Sequence, residues 1–575
     1  MNMLTPLPIP DRKSTRYLPL WVGLCSFLLY LYTLSKHYSE GEDSAQYVRE
    51  VTSPTSARVL FFPNHLAFNI LNRVVFVLCR EAGYQGDATV TMQILNASAG
   101  ALALAIMVKI LQRLAVADRL TLCWVGVTAV SFGFWSYSTQ AETYTLPIPS
   151  ILACIYLIIN LWDTHFSYAT FAWLGCLGAV ATLLHQQHVL VLSSIAIAVA
   201  IIGYRNRSDV PMRRVVLGLG ILSSLGALLV GVAYIWVAIG VFHLYEPVAI
   251  IEWSKGHAAD GLWTPWSYTN PIKSLLIGFS HAVLGAHFLF GFDSFAEAVS
   301  RGLAGKVLLE ERYLGQHIPL GIRLTCLAAT ICAMLSGLAV ARSLLFRSDK
   351  ERPDKTLEMR YHAADTIVLV LIIHYFIFNT LWEPTNIEFW IVPLPVVAIA
   401  IASMQSRRPN ADRWWLAGAA LATSLLVANG LGSILPQTNL DSDYWYQANR
   451  YLIQNARAGD VILTDGRFIS NNYLKLYTGA DVVSAVTWDN GHSADKLLDG
   501  GFNRIWVSSW AVEPPSRTGW MGKGRTYVAN EEYVRGFVMS IRDRLSKRNE
   551  SEFQTVWELT PRAPTAGTRQ EGLYR

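Results

Sequence analysis

Apolar runs close to 20 residues recur along most of this 575-residue chain. Each is long enough as a helix to cross a hydrocarbon layer about 30 Å thick. Inside lipid only helices and closed barrels satisfy every backbone N–H and C=O. Barrel strands are short and alternate in polarity, so these runs predict a polytopic α-helical membrane protein. Composition agrees: 15% of residues are charged, against roughly 25% in soluble domains. The net charge of +5 is carried by basic residues in short loops between the runs, so it says little about nucleic acid, which is not expected as a partner. Tyr17 to Ser35 follows Arg12, Lys13 and Arg16, but it is long and lacks a small-residue cleavage site, so it reads as a retained first helix.

Basic loops set the expected orientation. The N-terminal segment, Arg113 with Arg119, the cluster Arg205 to Arg214, the run Arg342 to Arg360, and Arg407, Arg408 and Arg413 read as cytoplasmic. Eleven crossings follow, at 17–35, 90–112, 119–137, 143–161, 169–185, 188–203, 215–242, 317–341, 364–382, 388–405 and 413–435, with the N-terminus inside and the C-terminus outside. Ser274 to Phe290, with His281 and His287, breaks this parity if it crosses, so it is expected as a re-entrant or surface-lying helix on the outer face. Residues 1–435 thus form a transmembrane domain whose first outer loop is 36–89, in the plasma or inner membrane if the source is bacterial.

Residues 436–575 read as a small extracytoplasmic α/β domain, three layers thick. Leu440 to Asn455 reads as an amphipathic helix, and Gly459 to Gly466 as a turn, a short buried strand and a loop. Val482 to Thr487 and Arg504 to Ser508 are further strands. Helices are expected at Phe468 to Tyr477, Ser493 to Leu498 and Glu531 to Arg548, and residues 561–575 as a disordered tail.

Polar groups collect on the outer side. Glu40, Glu42 and Asp43 follow the first run, and Phe61-Phe62-Pro63-Asn64-His65-Leu66 comes about twenty residues later, before an amphipathic stretch, Ala67 to Arg80, suited to the interface. A carboxylate there suits a general base or a divalent-cation ligand; the plainer reading is a solvated cluster that helps set topology. Tyr137, Glu142 and Tyr144 combine aromatics with an acid, a composition that suits sugars; an interfacial aromatic belt explains the rings but not Glu142. His185-Gln186-Gln187-His188 interrupts an apolar run, either as a tight turn or as a donor-rich patch for phosphate or sugar. Trp382, Glu383, Asn386 and Glu388 crowd a very short turn between two runs, and two acids there favour a functional reading. The seven cysteines, Cys25, Cys79, Cys123, Cys154, Cys176, Cys326 and Cys332, have no metal-site spacing and argue against a disulfide framework or zinc.

Together these features resemble the GT-C superfamily of glycosyltransferases. Asp43-Ser44 with Pro63-Asn64-His65-Leu66, Phe134-Trp135-Ser136-Tyr137 with Ala141-Glu142-Thr143-Tyr144-Thr145-Leu146, and His185-Gln186 resemble the branch of transmembrane protein O-mannosyltransferases of the plexin-modifying type and their bacterial relatives. The sequence departs from that branch at Gln46, where the branch carries Glu, and at Asn64-His65, which replace a proline- and glycine-rich core. The resemblance implies a polyprenyl-phosphate-linked sugar donor and an extracytoplasmic acceptor. It implies Asp43, with Glu42, as the base that deprotonates the acceptor, inversion at the anomeric carbon, and a substrate-orienting role for Asn64, His65, Tyr137, Glu142, Tyr144, His185, Gln186, Trp382, Glu383, Asn386 and Glu388. Beyond that donor no cofactor is indicated, and a divalent metal is possible but not expected. Two other classes remain open: a transporter or flippase of a lipid-linked or anionic substrate, for which no inverted repeat is visible, and a non-catalytic subunit of a cell-envelope glycan assembly.

Overall fold

The computed structural model describes residues 16–38, 41–259, 271–302, 309–345, 355–408, 411–464, 467–484, 502–512 and 541–559. Helices dominate to residue 434, and a small sheet follows. The helices used below are α1 (Leu18–Tyr32), α2 (Ser44–Thr52), α3 (Phe68–Glu81), α4 (Thr89–Arg113), α5 (Asp118–Val130), α6 (Phe132–Ser138), α7 (Ile148–Ile159), α8 (Tyr168–Leu184), α9 (Val189–Arg205), α10 (Met212–Gly240), α11 (Pro247–Ser254), α12 (Pro271–Val283), α13 (Asp293–Gly302), α14 (Leu309–His317), α15 (Leu320–Leu345), α16 (Lys355–Leu381), α17 (Pro393–Ser406), α18 (Ala411–Asn429), α19 (Tyr444–Asn455) and α20 (Phe468–Thr478).

Each expected crossing coincides with a helix, but length separates them. Among the described residues seven helical segments are long and apolar enough to cross a membrane, and eight if α5 and α6 form one span. Helices α1, α7 and α8 have only 15, 12 and 17 residues, about 18–26 Å at 1.5 Å per residue. The expected total of eleven crossings is therefore not established by the helix lengths. The segment expected to be re-entrant is α12, 13 residues long, followed by a left-handed Ala286 and the 3-10 turn His287–Gly291.

Burial orders the bundle. The apolar windows of α4 and of 387–406 are 61% and 72% buried, whereas those of α10 and α15 are 22% buried. Leu228, Val232, Ile235 and Trp236 on α10 and Met334, Leu335 and Leu338 on α15 are exposed, as lipid-facing residues are. Helices α5 and α6 meet at Ser131 with a 65° bend. Asn429 donates to Val130 O at this bend (2.8 Å) and ties it to the end of α12, donating to Val283 O (2.9 Å) and accepting from Gly285 N (3.1 Å). A π-turn, Gly430–Ile434, ends α18 beside this knot.

Charge marks one end of the helices. Asp163, just past α7, is bridged by Arg113 and by Arg360 (2.9 Å), and Arg407 grips Asp365 bidentately (2.7 and 2.8 Å). The acids discussed below lie at the other end of α4, α7 and α16. There the segment between α1 and α4 is ordered by its own hydrogen bonds. Arg73 of α3 donates to Val51 O (2.7 Å) and Thr52 O (2.9 Å), capping the carbonyl end of α2 with a cation.

The C-terminal sheet has the order β2-β1-β3-β5-β4, with β1 Val461–Thr464, β2 Asp481–Ser484, β3 Ile505–Ser508, β4 Leu545–Glu550 and β5 Thr555–Leu559. Strands β2, β1 and β3 are parallel, and β5 and β4 are antiparallel to their neighbours. All four residues of β1 are buried because both faces are covered. Ile462, Trp506 and Val556 pack with Leu452 of α19 and Leu474 of α20, while Val461, Leu463, Ile505 and Leu559 form a cluster with Ile541. The helix expected over Glu531 to Arg548 is overturned at its end, where β4 begins at Leu545; residues 531–540 lie outside the described residues. All residues of this edge strand after Leu545 are polar, and a polar run without period-2 apolar positions passes for a helix face. Residues 493–498 and 561–575 lie outside the described residues, as does Glu40.

Candidate active site

Asp43 stands immediately before α2, and Tyr47 lies one turn on, so its phenol reaches back to donate to Asp43 Oδ2 (3.0 Å). Ser44, fully buried, donates to Glu142 Oε1 (2.9 Å) across 98 residues of sequence. Glu142 follows the short α6 and is 1% exposed. Its other oxygen accepts from Thr143 N (3.2 Å), and Asn96 of α4 holds the turn by donating to Gln140 O and Glu142 O (2.7 Å each). Gly41 makes the approach possible: a Cβ there would lie 2.5 Å from Ser44 Oγ, 2.6 Å from Glu142 Cγ and 2.8 Å from Gln140 Oε1.

The third acid comes from the mouth of α16 and α17. Tyr144 donates to Glu388 Oε2 (2.8 Å), and Asn386 donates to Glu388 Oε2 (3.1 Å) and Glu383 Oε2 (3.2 Å). The turn is fixed by its own polar groups: Glu388 N donates to Asn386 Oδ1 (3.2 Å), and Trp390 Nε1 donates to Pro384 O (3.0 Å). Tyr144 is the hinge of the aromatic lining. Its ring meets Tyr137 (5.6 Å), Phe389 (5.9 Å) and His185 (4.8 Å).

The charges feel one another. Burial pushes the Glu142 carboxyl well above the usual range, and the neighbouring Asp43 and Glu388 charges add to it. Glu42 is raised by burial and then by Glu388, Asp43, Glu310 and Glu383. Burial and the same carboxylates raise Tyr47 and Tyr144 well above 10, so both phenols remain donors. Carboxylates buried this closely oppose one another's ionisation, so Glu42 and Glu142 hold a proton more readily than solvated acids do. No three His, Cys, Asp or Glu side chains among the described residues are placed to hold a metal ion.

The remaining expected residues divide. His65 is buried against Tyr47 (ring centroids 4.9 Å) and Phe62 (5.2 Å), one ring away from Asp43. Asn64 lies against Gly256 of the α11 loop. Gln186 donates to Ser254 O (2.7 Å) and pins that same loop. Trp382 is buried and stacked on Phe378 (6.0 Å). The sequence reading missed Ser44, Tyr47 and Glu310. The i,i+4 spacing of Asp43 and Tyr47 was a usable signal; nothing local marks Glu310.

No family model and no curated protein matches the chain. Among solved structures, ArnT from Cupriavidus metallidurans bound to undecaprenyl phosphate is similar at 11% identity and a TM-score of 0.48, over 95% of this chain and 98% of that one. The apo state of the same protein gives 12% and 0.45 over the same shares. The Archaeoglobus fulgidus oligosaccharyltransferase in complex with Zn and sulfate gives 13% and 0.42, over 85% of this chain and 68% of that one. These three TM-scores lie below 0.5, so the functional reading rests on the geometry of the site itself.

Proposed function

We propose that the chain is a membrane glycosyltransferase that moves a sugar from a polyprenyl-phosphate donor to an extracytoplasmic acceptor with inversion. One observation carries this reading. Three stretches far apart in sequence, around Asp43, Glu142 and Glu388, converge as one acidic cluster lined by Tyr47, Tyr137 and Tyr144. In this reading the cluster end of the bundle faces outward, with the N-terminus inside and the sheet domain outside.

Asp43 accepts the proton of the acceptor hydroxyl. The oxygen attacks the anomeric carbon as the bond from that carbon to the phosphate oxygen breaks, and the electron pair leaves on the lipid phosphate. No protein nucleophile is needed, and a phosphate leaves without a strong acid. Glu142 and Glu388, held by Ser44, Tyr144 and Asn386, orient the sugar and acceptor hydroxyls. The test is consumption of polyprenyl-phosphate monosaccharides by purified protein in nanodiscs, wild type against Asp43→Asn. Loss of consumption in a variant that inserts and folds normally is the expected result; equal turnover removes Asp43 from the chemistry.

A further inference from the structure

Between α1 and α2 the chain is held from two sides. Toward the bundle, Ser35 N donates to Thr139 O (3.1 Å), Gln93 of α4 donates to Ser35 O (2.6 Å), and the Tyr38 phenol pairs with Thr89 Oγ1 (2.8 Å). Toward the sheet domain, Lys36 N donates to Gln437 O (2.8 Å), His37 Nε2 donates to Asn439 O (2.7 Å), and Tyr38 N donates to the phenol oxygen of Tyr473 (2.8 Å). Lys36, His37 and Tyr38 thus each take a partner from the sheet domain, shortly before Asp43 in the chain.

The bond from Tyr38 is built with more care than docking requires. Tyr473 of α20 and Asp443 are both fully buried. Asp443 Oδ1 caps α19 by accepting from Tyr446 N (3.0 Å), and its Oδ2 accepts from the Tyr473 phenol. A cap alone is served as well by Ser or Asn, and a buried carboxylate is costly unless its oxygens are occupied. A phenol has one proton. With that proton committed to Asp443, the Tyr473 oxygen meets Tyr38 N as an acceptor. Burial and the Asp443 charge raise the phenol well above its usual range, so it stays protonated. The same ring stands in the core that carries α2. Tyr473 and Trp445 pack in one apolar cluster with Tyr38 and with Ala45, Tyr47 and Val48 of α2, and Tyr47 donates to Asp43 Oδ2 (3.0 Å). A polar route through Tyr38 and an apolar route through α2 therefore join Tyr473 to the proposed base.

We infer that Tyr473, aimed by Asp443, is a positioning residue for Asp43, so that the sheet domain is part of the catalytic scaffold. The role of what is positioned rests on the glycosyltransferase reading; the coupling between the sheet domain and α2 does not. Loss of the phenol oxygen deprives Tyr38 N and Asp443 Oδ2 of this partner at once. A group that sets the base without touching a substrate changes the rate of the chemical step and leaves donor binding nearly alone. A group that only holds the sheet domain in place changes stability and leaves the rate of the folded protein alone.

Full-length Tyr473→Phe in nanodiscs tests this, with Ser470→Ala as the control. Ser470 of α20 is buried and accepts from Asn449 (3.0 Å), so its loss loosens α20 against α19 without touching Tyr38. Asp443→Ser keeps an oxygen to cap Tyr446 N and removes the acceptor that aims Tyr473; it decides the matter if Tyr473→Phe does not fold. Well below the unfolding temperature, hydrogen exchange of the amides from 41 to 52 is expected to rise about tenfold in Tyr473→Phe and about threefold in Asp443→Ser, and to match wild type in Ser470→Ala. In Tyr473→Phe, kcat for donor consumption is expected to fall about tenfold, with KM for the lipid-linked sugar within about twofold. Exchange unchanged in Tyr473→Phe and Asp443→Ser, or raised equally in Ser470→Ala, overturns the inference, and so does an unchanged kcat or a change confined to KM. The two readings fail separately. Donor consumption lost in Asp43→Asn, with exchange indifferent to Tyr473→Phe, removes only the coupling. Exchange that depends on Tyr473, in a protein that consumes no lipid-linked sugar, removes only the transferase.

Discussion

Gly41→Ala puts one methyl group where the site has no room. The Cβ would stand 2.5 Å from Ser44 Oγ and 2.6 Å from Glu142 Cγ. Ordinary contact begins near 3.4 Å, so Glu142 must retreat by about 0.8 Å or the chain before α2 must swing away. Glu142 is hemmed in, because Asn96 holds its backbone and Thr143 its second oxygen. Overpacking of this kind costs roughly 1–3 kcal/mol, and loosening the Ser44–Glu142 hydrogen bond adds a loss of about 0.5–1.5 kcal/mol. A misplacement near 1 Å between reacting groups costs on the order of a hundredfold in rate. We therefore expect kcat/KM for transfer from a polyprenyl-phosphate sugar to fall about a hundredfold, with a lower unfolding temperature in the same nanodiscs. Gly231→Ala is the control. It lies within α10, a Cβ there meets nothing within 4 Å, and the change should be neutral or slightly stabilising. Wild-type activity and stability in Gly41→Ala would refute the claim that Asp43 and Glu142 are locked together through this turn.

Two further outcomes follow from single hydrogen bonds. Tyr47→Phe removes the donor to Asp43 Oδ2. A carboxylate that loses a donor is protonated more easily, so the acid limb of the kcat/KM profile should move to higher pH; an unmoved limb breaks the link between Tyr47 and the base. Glu50 of α2 accepts from Gln46 (2.8 Å) and Asn69 (3.2 Å), and burial pushes its carboxyl up to about 7. The folded protein then holds a proton that the unfolded chain releases near 4.5, so stability declines as pH rises from about 4.5 through 7. Glu50→Gln should flatten that decline and gain on the order of 1–3 kcal/mol at pH 8. An equal slope in the variant, measured by thermal unfolding across pH 5–8, contradicts it.

The apolar runs made the helices legible because length and hydropathy are local quantities. Where a helix bends is not local. The expected straight span 119–137 breaks at Ser131, and the residue that makes the break tolerable is Asn429, almost 300 positions away. The strand β4 was misread for a related reason: its partner β5 lies beyond a turn, and an edge strand with one polar face has no core-facing run to betray it. In the site, Asp43, Glu142 and Glu388 each stood out as an acid where lipid makes acids costly. Their union was invisible, since Ser44 meets Glu142 across 98 residues and Tyr144 meets Glu388 across 244. Gln186 and Trp382 make contacts that no local pattern announces, one donating to Ser254 O and the other stacked on Phe378.

The measurement that bears most directly on the central claim is consumption of a panel of polyprenyl-phosphate monosaccharides by the purified protein and by Asp43→Asn, with a soluble hydroxylated acceptor present. The account expects one donor to be consumed by wild type and none by the variant, at matched folding and insertion. Equal consumption by both, or none by well-folded wild type across the donors and acceptors offered, would contradict it.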